Sequence, residues 1–381
     1  MWRRVLRGVG AVAVGTASMV RQMQRRRNRS RRSSIRSAGT GVVGATVSSI
    51  VVALLALSSA SIAGPANAAS THSPIARTPI GASLSIETLL TEPEDGYQPV
   101  YSFILGAKKS LDMTMYELSD PVAESDLASD AHRGINVRVV LDKEYVGTEV
   151  NGTAYRYLAS NGVHVVWSYP SEIFHQKTIT VDDTTSLIMT GNLTAKYYPT
   201  TRDFGVFDPA PSDVSAIEKA FASDFAGNKP MPASHGIDLV WSPGSETTLI
   251  NLINSARHTL SVENEEMDSL PIESALESAA RRGVVVHLIM TYSSSWTNAL
   301  NQLSAAGVKI HLDHGESPVY IHAKVISVDA GTKQQRAFIG SENFSTSSLV
   351  YNRELGLITD DPALLTTLNA TLATDFAGTA A

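Results

Sequence analysis

The sequence predicts an α/β fold made of two tandem, similar halves, each with a mixed and largely buried sheet. Three observations predict it. Apolar β-branched runs alternate with amphipathic helical stretches, and the order repeats along the chain. Gly134, Gly162, Gly283 and Gly307 each stand where a helix should end before a strand. One polar motif, His-x-Lys-x4-Asp, occurs once in each half at identical spacing.

Residues 1–68 read as a leader. They hold eleven of the chain's 31 Lys and Arg residues and no acid. Gly41–Gly64 follows the arginines as an uncharged apolar stretch, and Ala66-Asn67-Ala68 is a small-x-small cleavage pattern. That order predicts a signal peptide cut near Ala68, and hence a secreted protein. The competing reading is a membrane anchor over residues 41–64, long enough to span a bilayer but rich in Gly, Ser and Ala. Without the leader, 20 basic residues face 37 acidic ones, a net charge of −17 against −6 for the whole chain. So acidic a body repels polyanions at long range, which disfavours nucleic acid without excluding a locally positive cleft. The chain has no cysteine, which excludes disulfides, thiolate metal sites and a cysteine nucleophile.

Residues 69–82 read as a flexible start to the mature chain. The first half, 83–228, opens with Tyr101-Ser102-Phe103-Ile104 and the apolar run Leu111–Tyr116. A helical stretch ends at Gly134, and the strand Val137–Leu141 follows. A second helical stretch leads to the apolar run ending at Val166. A linker at 229–236 carries Pro230, Pro232 and Gly236. The second half, 237–378, repeats the order: Leu249–Ser255, the run Leu260–Glu263, a helical stretch to Gly283, and the strand Val284–Met290. A further helical stretch then reaches Gly307 and Ile310.

The duplicated motif carries the chemistry. The first copy is His175, Lys177 and Asp182; the second is His322, Lys324 and Asp329. Asn192 follows the first copy and Ser341 and Asn343 the second, each in a glycine turn. Arg202-Asp203 and Arg353-Glu354 come next. Asn343 lies 151 residues after Asn192, Arg353 lies 151 after Arg202, and His322 lies 147 after His175. Residues two apart on a strand face one side, so each His and Lys should point together into one cleft. Two copies facing each other would place two imidazoles, two ammonium groups and two amides around a tetrahedral anion. Lys and Asn can hold the non-bridging oxygens of a phosphodiester and stabilise a pentacoordinate transition state. One histidine can attack phosphorus and the other can move the proton. Asp203 and Glu354 can fix the histidine tautomers. Neither a metal nor another cofactor is implied, since the lysines supply the positive charge. Glu263, Glu265 and Glu266 could line the cleft, but read first as a solvated loop. His311, Asp313 and His314 read as surface residues rather than metal ligands.

These residues resemble the phospholipase D superfamily, over roughly residues 83–378. The resemblance implies two α/β/α sandwich halves packed into one pseudo-symmetric globule, with the active site at their interface. It implies His175 as nucleophile and His322 as acid/base, and structural roles for Asp182 and Asp329. The first copy departs from the family in lacking the serine that Ser341 provides, and in carrying Asp203 where Glu is usual. A shorter carboxylate would reach its histidine less well. The resemblance implies a secreted, monomeric phospholipase D acting on phospholipid at a membrane surface, by hydrolysis or by headgroup exchange. The alternatives are an endonuclease of the same superfamily, a phosphatidyl transferase similar to cardiolipin synthase, and a non-catalytic lipid-binding protein.

Overall fold

The computed structural model describes residues 86–230, 236–315 and 318–378. The expected leader, the flexible start at 69–82 and most of the expected linker lie outside the described residues.

Among the described residues each half contains a seven-strand sheet, and the two sheets have the same topology. The first runs Thr88–Glu92, Thr201–Asp208, Thr185–Met189, Lys177–Val181, Ser110–Met115, Asn136–Leu141, His164–Trp167. The second runs Leu239–Ser242, Glu354–Thr359, Arg336–Gly340, Lys324–Val328, Thr259–Asn264, Val285–Thr291, Lys309–Asp313. In both, the first five strands pair antiparallel and the last three parallel. The parallel strands are joined through helices, as parallel neighbours require. The expected α/β architecture with a mixed sheet in each half is therefore what the chain adopts.

Local chemistry starts and stops these elements. Asp120 caps the helix Pro121–His132 by accepting from the N–H groups of Val122 and Ala123. Ser269 caps Leu270–Arg281, and Asp361 caps Pro362–Phe376. Proline in the first turn is tolerated because that N–H has no helical partner. The four helix-ending glycines all take positive φ, between 85° and 101°.

Strand side chains alternate between two apolar layers. On Lys324–Val328, Val325 joins a core shared by both halves, while Ile326 and Val328 join the core under the second half's own helices. On Thr185–Met189, Ile188 enters the shared core, and Leu187 and Met189 the first half's. Both faces of these strands are covered, which is why they read as continuous apolar runs. The long helices Pro211–Phe225 and Pro362–Phe376 contribute Ile217 and Leu365 to the shared core.

Backbone and charge also cross between the halves. Tyr320–Ile321 pairs parallel with Thr201–Arg202 of the first sheet, and Phe174 bridges to Arg353. Buried Arg202 pairs with Asp375 at 2.8 Å, and buried Arg353 pairs with Asp224 at 2.8 Å. Each arginine meets the acid of the opposite half's long helix.

Candidate active site

Each motif begins where the chain crosses from one half's sheet to the other's. Lys177 and Lys324 open strands, but the histidines precede them. The N–H of His175 donates to the carbonyl of Arg353 at 2.9 Å, and that of His322 to the carbonyl of Arg202 at 3.2 Å. Each histidine is thus held by the backbone of the other half. Lys177 and Lys324 are fully buried, and each ammonium donates back to the carbonyl of its own histidine.

The carboxylates cross over as well. Nδ1 of His175 lies 2.8 Å from Oε2 of Glu354 and 3.1 Å from the carbonyl of Ser341. Nδ1 of His322 lies 2.9 Å from Oδ1 of Asp203. The expected weakness of the shorter Asp203 is not observed. It serves the histidine of the second half, at a distance matching the Glu354 contact. The apparent loss of a serine in the first copy is also made good. Thr190 stands 151 residues before Ser341 and takes its place. Its hydroxyl donates to Asp203 at 2.6 Å and accepts from the N–H of Phe204, as Ser341 accepts from the N–H of Leu355. Gly191 permits the packing here, since a Cβ would come within 2.8 Å of Asp203. Glu354 is held in turn by Ser348 at 2.5 Å and Asn352 at 3.1 Å.

The motif acids sit away from this cluster. Asp182 and Asp329 have φ of 55° and 52°, a left-handed turn that Asp tolerates. Asp182 accepts from the N–H groups of Lys108, Lys109 and Ser110. Asp329 accepts from those of Arg257, His258 and Thr259. Each ties a hairpin to the start of a neighbouring strand.

Burial pushes the imidazolium of His175 down to about 4, against the opposing pull of Glu354. Burial likewise lowers Lys177 to about 7, with Lys324 adding to the effect. Asp203 and Glu354 stay low because the histidines and lysines outweigh their desolvation. Asn343 is buried, and the side-chain oxygens of Asn192 and Asn343 have no hydrogen-bond partner.

Two further residues stand in the cluster: Tyr116, which the sequence did not single out, and Glu265, which it allowed in the cleft but read first as a loop residue. Tyr116 follows the strand Ser110–Met115; its ring meets His175 edge-on at 4.5 Å and lies 4.9 Å from the Lys177 ammonium. Glu265 follows the equivalent strand Thr259–Asn264, and its carboxylate contacts Lys324 at 3.3 Å and His322 Nε2 at 3.5 Å. It is not the solvated loop residue expected. Glu263 is fully buried in its strand. The duplication was the available signal, since Tyr116 and Glu265 fall at the same step of matching strands. Phe174 and Trp241 are core residues, and Tyr320 donates to Glu265 at 3.0 Å. His311 and Asp313 pair with each other at 2.9 Å; among the described residues no three His, Cys, Asp or Glu groups converge as metal ligands.

No curated protein matches the sequence. Among solved structures, a polyphosphate kinase from Porphyromonas gingivalis is similar with a TM-score of 0.59 and 17% identity, over 76% of this chain and 50% of that one. The chain thus spans half the length of that kinase. A phosphatidylserine synthase from Haemophilus influenzae Rd KW20 is similar with a TM-score of 0.59 and 11% identity, over 77% of this chain and 85% of that one. Nuc from Salmonella typhimurium, described as a phospholipase D family member, has a TM-score of 0.34 and 21% identity, over 38% of this chain and 99% of that one. At these identities the likeness to the kinase and to the synthase concerns the fold. The family described as "Cardiolipin synthase, PLD-like domain" matches residues 100–225 and again residues 249–377, one copy in each half. The chain belongs to this family of PLD-like domain proteins.

Proposed function

We propose that the protein is a secreted phospholipase D that hydrolyses the distal phosphodiester bond of glycerophospholipids through a phosphohistidine on His175. The observation that carries the reading is the crossed pair of His–carboxylate contacts beside two buried lysines.

The two histidines differ in a way that supports distinct roles. Nδ1 of His175 faces two acceptors, Glu354 and the Ser341 carbonyl, so it carries the proton. With the ring neutral, Nε2 presents a lone pair to phosphorus. His322 faces a carboxylate at each nitrogen, Asp203 at 2.9 Å and Glu265 at 3.5 Å. The two carboxylates hold the ring with Nε2 turned toward the other groups of the site, the position a proton-transfer role needs.

In the first step Nε2 of His175 attacks phosphorus, the P–O bond to the headgroup breaks, and Nε2 of His322 protonates the departing alkoxide. In the second, neutral His322 takes a proton from water, the water oxygen attacks phosphorus, and the P–N bond breaks with its electrons returning to His175. Phosphatidate leaves. An alcohol in place of water gives headgroup exchange. Lys177, Lys324, Asn192 and Asn343 hold the non-bridging oxygens throughout. Among the described residues no helix is long and apolar enough to cross a membrane.

The test is release of choline or ethanolamine from phospholipid vesicles in EDTA, beside cleavage of single- and double-stranded DNA. Headgroup release that is lost in both H175A and H322A supports the proposal. DNA cleavage without lipid turnover would replace it with a nuclease on the same scaffold.

A further inference from the structure

We propose that Glu265 is a built-in anion standing in the phosphate site, and that it selects singly charged phosphodiesters over doubly charged phosphomonoesters. This deepens the phosphodiesterase reading and rests on it.

Glu265 is held in place. Asn264, fully buried, accepts from the N–H groups of Glu266 at 3.1 Å and Phe344 at 3.0 Å, and donates to the carbonyl of Glu342 at 3.3 Å. The turn carrying Glu265 is therefore pinned to the loop carrying Asn343. Its Oε1 accepts from Tyr320 at 3.0 Å. Its Oε2 accepts from Asn343 Nδ2 at 3.4 Å and Lys324 at 3.3 Å, and lies 3.5 Å from His322 Nε2. Three of these four partners are groups the motif supplies for phosphate oxygens. The carboxylate competes with phosphate for the same donors.

The duplication shows that the fold does not require this acid. At the matching step of the first half, Tyr116 packs against His175 and Lys177 with no charge of its own. The halves otherwise repeat their strands, their lysines and their crossed carboxylates. At this step the second half carries a carboxylate and the first half a neutral ring.

The charge stays on. Burial pushes the carboxyl up, but His322, Lys324 and His175, with the Tyr320 hydroxyl, hold it down at about 2. Lys177 also interacts with it. A fixed negative charge acts twice as strongly on a dianion as on a monoanion at the same distance. The diester substrate carries one charge. The monoester product carries close to two above its second ionisation, near pH ~6. Glu265 thus weakens product binding more than substrate binding and favours turnover over retention of phosphatidate.

The experiment is calorimetric titration of the full chain with dimethyl phosphate and with glycerol 3-phosphate, at a pH about two units above the monoester's second ionisation, ~6. In E265Q the affinity ratio of monoester to diester should rise by roughly tenfold or more. In E265D, which keeps the charge, it should stay near the wild-type value. E265A gives the same readout should E265Q fail to fold. An unchanged ratio in the neutral variants, or equal weakening of both ligands, overturns the proposal. Neither ligand requires lipid turnover, so a wrong lipid assignment and a wrong role for Glu265 give different results.

Discussion

Asp203 hydrogen-bonds to His322, 119 residues away and in the opposite half, rather than to the histidine that precedes it by 28 positions. Glu354 does the same for His175 across 179 residues. Each half thus supplies a histidine to one pair and a carboxylate to the other, and neither half alone completes a pair.

The crossing makes each carboxylate answerable to one step. D203N keeps the side-chain shape but cannot stabilise the imidazolium of His322. Headgroup release should fall by about 10²–10⁴-fold, with little change in KM. T190V removes the 2.6 Å bond to Asp203 and should cost less. A D203N enzyme within about threefold of wild type would contradict the pairing as a source of catalysis.

The unequal surroundings of the histidines predict unequal defects with an activated leaving group. Nitrophenolate departs without protonation, so H322A should release nitrophenol from p-nitrophenyl phosphocholine in a burst of about one equivalent per enzyme and then stall. H175A should show no burst. The reverse pattern would exchange the two roles.

Lys177 gives a pH dependence with a definite sign. Burial lowers its pKa to about 7, against 10.5 for an ordinary lysine. Between those values the unfolded chain binds the proton and the folded chain does not. This group's contribution to stability therefore rises with pH from about 7 to about 10.5. K177M should abolish turnover, remove that rise and stabilise the empty protein by a few kcal/mol, at ~1.4 kcal/mol per unit. A bound phosphate ester favours the ammonium form, so binding above neutral pH should take up protons. Calorimetry in buffers of different ionisation enthalpy reads this directly.

The motif acids should matter for stability and not for chemistry. Asp182 and Asp329 each accept three backbone N–H groups. D182A or D329A should lower unfolding free energy by ~2–4 kcal/mol while leaving kcat within about twofold under conditions where the variant is folded. Denaturant titration beside steady-state rates separates the two effects.

Asp224 makes a comparable case between the halves. It and Arg353 are both 2% exposed and pair at 2.8 Å. Removing one partner of a buried pair strands the other, so D224A should cost ~3–5 kcal/mol. Because Arg353 also carries the carbonyl that holds His175, the loss should extend to activity. D224A with full stability and full rate would refute this coupling.

The sequence by itself determined the α/β class, the two-half organisation and the polar residues that meet. Strand and helix periodicity are local, and a duplicated motif leaves a one-dimensional pattern of nearly equal separations. Thr190 lies 151 residues before Ser341, as Asn192 does before Asn343, and Tyr116 lies 149 before Glu265. Only the tertiary structure decided which carboxylate contacts which histidine, that the motif acids stand apart from the cluster, and that Glu265 meets Lys324, Asn343 and His322. Those outcomes depend on how two sheets pack across a shared core. Partners more than a hundred residues apart are chosen by that packing, and no local spacing encodes it.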